Sequence, residues 1–193
     1  TGSSINDIRR HGISYGPEDR MTTGVCKDAS IWENLISDRV DTAQILSHRL
    51  LNGKKIFGLA RRLLEEFRIH CKNEYQPVGM LSGGNMQKVV VAREFSSDPR
   101  LLIANQPTRG IDVGANEFIW KKIVNLRDHG KGVILVSADL NEIMELSDSI
   151  LVMCEGEVAA YFEDSSQVTE QELGLYMLGV KKQEPAARAE GGK

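Results

Sequence analysis

No apolar run in this sequence approaches the roughly 18 to 20 residues needed to cross a bilayer, and its start has no signal-peptide core. Cysteine is scarce. Cys26, Cys71 and Cys154 are odd in number, scattered and without C-x-x-C spacing, which argues against a disulfide framework or zinc site and for a reducing, cytosolic setting. His11, His48, His70 and His129 likewise form no metal-ligand spacing. An excess of charge of one sign is also missing: 24 Lys and Arg against 27 Asp and Glu leave a net charge of -3. Bulk attraction to nucleic acid or to an anionic membrane is therefore not implied, and any partner must be met by local patches. A starting methionine is absent too, and the opening Thr1-Gly2-Ser3-Ser4 reads as that of a piece excised from a longer polypeptide.

What is present is a chain of 193 residues, 41% hydrophobic and 26% charged, enough for one domain or a domain with a subdomain. Ile13 to Tyr15 reads as a short strand ending at Gly16-Pro17. Ile31 to Ile36 suits a short helix, and Ile56, Leu59, Ala60, Leu63, Leu64 and Phe67 recur at helical spacing within a helix from about Asn52 to Cys71. On its polar side Arg61 with Glu65, and Arg62 with Glu66, stand four apart as a solvated face would. Ser82 is a good N-cap for a helix through about Phe95. Leu101 to Ala104 and Val133 to Ser137 are short apolar runs suited to buried strands, and Gly114 to Arg127 between them reads as a helix. Strand, helix, strand in that order predicts a parallel sheet with a right-handed crossover. Further on, Asn141 to Leu146 reads as a helix, Ser149 to Met153 and Val158 to Phe162 as a hairpin around Glu155-Gly156, and Thr169 to Glu172 as a capping box.

Two motifs carry the chemistry. Leu81-Ser82-Gly83-Gly84-Asn85-Met86-Gln87-Lys88 opens a helix with a serine and two glycines, leaving backbone N–H groups uncovered for phosphate. A helix length later, Leu101 to Ala104 runs into Asn105-Gln106-Pro107-Thr108-Arg109-Gly110-Ile111-Asp112, a strand end and tight turn. Together with Tyr15-Gly16-Pro17-Glu18-Asp19-Arg20, these segments resemble the nucleotide-binding domain of an ATP-binding cassette (ABC) transporter, and more narrowly the second of two tandem cassettes in bacterial importers of simple sugars and nucleosides. The resemblance extends from Ile5 to about Gly179.

It implies an α/β fold: a partial P-loop NTPase core with a parallel sheet and a helical signature subdomain. No G-x-x-x-x-G-K-[ST] occurs, so the Walker A segment is lacking, and in the family it lies upstream of the first segment seen here. The implied divisions are the end of a core strand with a Q-loop-like segment at 1–24, the helical subdomain at 25–96, the NTPase core with Walker B, D-loop and H-loop regions at 97–165, a C-terminal helix at 166–180 and a disordered tail at 181–193.

In that family two cassettes dimerise head to tail, each ATP held between the P-loop of one and the signature of the other. The resemblance thus implies that Ser82, Gly83, Gly84 and Gln87 meet an ATP held mainly by a partner, and that Asp112 couples the two sites. Asn105 and Gln106 stand where the family carries the aspartate that holds Mg²⁺ through its water shell and the glutamate that polarises the attacking water. Ala138 replaces the switch histidine, and Glu18 stands where many cassettes have the Q-loop glutamine. Amides keep the shape but lose charge and basicity, and loss of a general base costs about 10² to 10⁴ in rate. The cassette's own site is therefore expected to be silent while its signature serves the opposite one.

The implied whole is an ABC-type transport ATPase on the cytoplasmic face of the membrane, using ATP and Mg²⁺. Its implied partners are an N-terminal cassette of the same polypeptide, permease subunits and, indirectly, a substrate-binding protein, with no nucleic acid. The isolated chain is expected to be inactive. A second reading is a non-catalytic regulatory or assembly module. Trp32 is read either as core or as part of a groove for a coupling helix, and Lys88 as solvated or facing another cassette.

Overall fold

A computed structural model of the chain describes residues 2–183, which divide into two compact units, 2–136 and 137–183. The division falls inside the 97–165 stretch expected to be one core.

The first unit opens with α1 (Ile5–Arg10), set by a capping box in which Ser4 and Asp7 exchange hydrogen bonds, and continues into β1 (Ile13–Gly16). A single π turn (Arg20–Gly24) follows, capped by Asp19. Then come α2 (Ile31–Ile36), a short hairpin of β2 (Leu46–Ser47) and β3 (Leu50–Leu51), and α3 (Gly53–Glu66). After α4 (Gly83–Phe95), the chain forms β4 (Leu101–Asn105), α5 (Val113–Asp128) and β5 (Gly132–Val136). Strands β1, β4 and β5 form one sheet in that order, parallel throughout, with Tyr15 beside Ile103 and Ile103 beside Ile134. The expected parallel sheet is therefore present.

Helix α2 packs on both α3 and α4, and Ile31, Leu35, Leu59, Ala60, Leu63, Phe67, Val89 and Val90 are buried there. Trp32 is half-buried edge-on to Phe57, with centroids 5.5 Å apart, and Phe57 packs on Tyr75 at 5.2 Å. On the sheet, Leu102 and Ala104 are buried, whereas Tyr15, Ile134 and Val136, on the opposite face by strand alternation, remain 46–49% exposed.

The helix expected to reach Cys71 stops at Glu66, because Arg68 takes φ +49 and breaks the helical run. The spaced pairs on α3 also resolve differently. Arg61 forks onto Glu74 Oε1 at 2.9 and 2.7 Å, and Glu66 accepts from Lys122 at 2.6 Å. Lys88, expected to be solvated or to face another cassette, donates to the Arg68 carbonyl at 3.2 Å, just past the end of α3.

The second unit has α6 (Leu140–Leu146), an antiparallel pair of β6 (Ile150–Cys154) and β7 (Glu157–Phe162), and α7 (Glu170–Met177) behind the expected Thr169–Glu172 capping box. These strands pair only with each other among the described residues, which is why this unit has its own small core of Ile150, Val152, Ala159, Ala160, Val168 and Leu173. The tail expected to be disordered from Lys181 is tied down at its start: Lys182 pairs with Glu157, and Gln183 N–H donates to the Ala159 carbonyl at 2.8 Å. Its remainder, 184–193, lies outside the described residues.

Candidate functional site

The signature turn and the turn after β4 lie side by side in the first unit. Ser82, exposed, caps α4: its Oγ accepts from the Asn85 N–H at 3.4 Å and from Asn85 Nδ2 at 3.0 Å. Asn85 is held in turn by the His70 N–H, which donates to its Oδ1 at 2.8 Å. With its lone pairs occupied, the Ser82 hydroxyl has a proton left to give, and among the described residues it meets no acceptor. The first-turn amides of Gly83 and Gly84 have no carbonyl partner within the helix. A hydroxyl and two orphan amides at the positive end of a 13-residue helix suit a polyanion.

Gln87 departs from the expected nucleotide contact. It is 2% exposed and its Nε2 donates to the Pro107 carbonyl at 2.9 Å, so it faces inward and joins α4 to the neighbouring turn. The reason is helical geometry: Gln87 lies one turn beyond Gly83 and Gly84, on a helix buried nearly all round.

Asn105 ends β4 half-buried, with its Nδ2 3.5 Å from the Tyr15 hydroxyl. Gln106 sits at φ +51, an unusual conformation for a residue with a side chain, and its N–H donates to the Val136 carbonyl at 2.8 Å. These are two neutral amides, and no group of three His, Cys, Asp or Glu among the described residues is placed to hold a metal. The residues present therefore do not fit a Mg²⁺ ion at the end of β4. Ala138 lies in the second unit, exposed, just before the Asp139 cap of α6.

Asp112 has a local task. Its Oδ1 accepts from the Ala115 N–H at 2.9 Å as the N-cap of α5, while Oδ2 lies 3.8 Å from where a Cβ on Gly84 would sit. Glu18, exposed, forms an ion pair with Arg109, so the Q-loop-like segment leans on the same turn. The residue that reasoning from sequence passed over is Arg20, whose Nη1 donates to the Arg109 carbonyl at 2.7 Å beside Gly83. Only its place after Glu18-Asp19 marked it, and nothing in the sequence showed what it would touch.

No family model matches the chain. The guanosine import ATP-binding protein NupO of Bacillus subtilis is 42% identical over 184 residues, 95% of this chain and 36% of that protein. The nucleoside import ATP-binding protein NupA of Lactococcus lactis is 38% identical over 179 residues, 93% of this chain and 35% of the relative. The chain thus spans about a third of the length of the curated relatives it matches. Among solved structures, an ATP-binding subunit of an ABC transporter aligns with a TM-score of 0.68 at 23% identity, over 92% of this chain and 74% of that one. A dimeric ATP-binding cassette bound to ADP and Pi aligns with a TM-score of 0.67 at 22% identity, over 83% of this chain and 67% of that one. The chain has the ABC ATPase fold and is related along nearly its whole length to the ATP-binding proteins of nucleoside and sugar importers.

Proposed function

We propose that this chain is the C-terminal part of the second cassette of a tandem ABC importer ATPase, coupling ATP binding and hydrolysis to uptake of a simple sugar or nucleoside. Its signature completes, in trans, an ATP site held mainly by the N-terminal cassette of the same polypeptide, and its own site does not turn over. The whole works against permease subunits on the cytoplasmic face of the membrane, fed by a substrate-binding protein. The observation that carries this reading is a contrast within one unit: Ser82 is exposed with a proton to donate, while the β4 end offers only the amides of Asn105 and Gln106.

ATP with Mg²⁺ supplies the phosphoanhydride whose cleavage drives the cycle. This chain's part is to bind and orient. Ser82 Oγ and the amides of Gly83 and Gly84 would grip terminal phosphate oxygens, which favours closure of one cassette on the other. Asp112, fixed by its cap on α5, stands next to that grip and would carry the state of one site to the other.

The test is an ATPase assay on the full-length protein. Ser82→Phe is expected to abolish turnover and Gln106→Ala to leave it nearly unchanged. Equal losses would overturn the asymmetry, and an inert Ser82→Phe would favour the regulatory-module reading. The isolated chain is expected to show no micromolar Mg-ATP binding by calorimetry.

A further inference from the structure

Glu18 and Asp19 each have an evident local task. Glu18 pairs with Arg109, and Asp19 caps the π turn by accepting from the N–H groups of Met21 and Thr22 at 2.8 and 3.1 Å and from the Thr22 hydroxyl at 2.6 Å. Arg20, the first residue of that turn, projects between two glycines. Its Nη2 lies 2.8 Å from the point a Cβ on Gly83 would occupy and 3.3 Å from the same point on Gly110, while Nη1 holds the Arg109 carbonyl at 2.7 Å. Its Nε is buried and meets no hydrogen-bond partner among the described residues.

For stability alone this is a poor place for a guanidinium. It sits at the positive end of α4, where a cation is disfavoured, and it gives up a hydrogen bond at Nε. What the placement achieves is contact with both turns at once, at a range that a side chain on Gly83 would forbid. The planar fork suits this: one nitrogen fixes the 109–110 turn while the other lies against the start of α4.

We propose that Arg20 is a positioning residue that locks the signature turn, 82–84, to the turn at 109–112. Ser82 Oγ and the first amides of α4 thereby keep a fixed setting relative to Asp112. The consequence for catalysis rests on the trans-site reading above; the mechanical coupling does not.

Both are tested in the full-length ATPase. Arg20→Met is expected to speed peptide-level hydrogen exchange at both turns, with the melting temperature moved by no more than about 2 °C. It is also expected to lower kcat about tenfold at saturating ATP with KM changed less than about threefold, since a misplacement near 1 Å can cost up to about a hundredfold. Arg20→Lys, which keeps the charge but not the fork, is expected to fall between. Gly83→Ala should evict the guanidinium and raise exchange at 109–112 as Arg20→Met does, with no further rise in the double variant. Unchanged exchange at either turn, or additive effects in the double variant, overturns the coupling. Raised exchange with unaltered kcat, while Ser82→Phe still abolishes turnover, overturns the catalytic role. If Ser82→Phe is silent, the trans-site reading falls, and the exchange results alone decide the coupling.

Discussion

Gln87 Nε2 donates to the carbonyl oxygen of Pro107 at 2.9 Å, and this one bond joins the helix that begins at the signature to the turn that follows β4. The two motifs read from the sequence as serving different ATP sites are thus mechanically one piece. The turn after β4 thus has a structural task of its own, since Pro107 is tied to α4 and Asp112 beyond it caps α5.

The Gln87 bond can be weighed directly. Gln87→Ala strips a buried carbonyl of its donor and is expected to cost about 1–3 kcal/mol in urea unfolding. Gln87→Glu brings a carboxylate against the same carbonyl in a nearly dry site, and should cost more than Gln87→Ala. The reverse order would mean that the Pro107 carbonyl is not what Gln87 serves.

Gln106 tests whether the β4 end is strained. At φ +51 a residue with a side chain is strained, and here its N–H is held by the Val136 carbonyl and its own carbonyl by the Arg109 N–H. Gln106→Gly exchanges that strain for added freedom in the unfolded chain and should change stability by less than about 1 kcal/mol. Gln106→Val, branched at Cβ, is expected to cost roughly 2 kcal/mol or more in the same unfolding assay.

The regular elements were legible because their signals are local. Ser82 at the start of α4, the apolar runs of β4 and β5 and the Thr169–Glu172 box each state an end or a period within a few residues. Helix α1 went unread, although the Ser4–Asp7 capping box that sets it is just as local. What escaped were backbone turns made without glycine. Arg68 cuts α3 short and His48-Arg49 turns the β2–β3 hairpin, all at positive φ with side chains that give no warning. At the two motifs, the residue types and their expected roles came from the sequence one by one, whereas Gln87 turning inward and Arg20 reaching Gly83 depend on packing between segments some 20 and 60 positions apart. Glu74 shows the same limit, taking Arg61 from the partner four residues along its own helix.

Glu74 also sets a pH dependence. Its own backbone N–H, and then the Arg61 guanidinium, hold its carboxyl below the usual glutamate value. Because the folded value is the lower one, its contribution is fully present above the unfolded pKa of about 4.3 and is lost as pH falls through the folded value. Thermal melts from pH 6 down to pH 3 are therefore expected to fall more steeply for the native chain than for Glu74→Gln. Parallel curves would show that the Arg61 pair contributes nothing in solution.

Glu94 is fully buried and accepts two bonds from Arg9 at 3.0 and 3.1 Å and one from Arg93 Nε at 2.8 Å, so α1 is bolted to the C-terminal turn of α4. Removing a single partner from a buried ion cluster is expensive, but the amount depends on what stays behind. In Glu94→Ala the nearly buried Arg93 loses its carboxylate, and about 3–5 kcal/mol should be lost. In Arg9→Met the carboxylate keeps Arg93, and Arg9 gives up a side chain that is 27% exposed, so the loss should be smaller, about 1–2 kcal/mol. Chemical unfolding of the two variants decides it. A larger loss for Arg9→Met would place the main neutralising charge on α1, and α1 would then be the support on which the position of the whole signature helix depends.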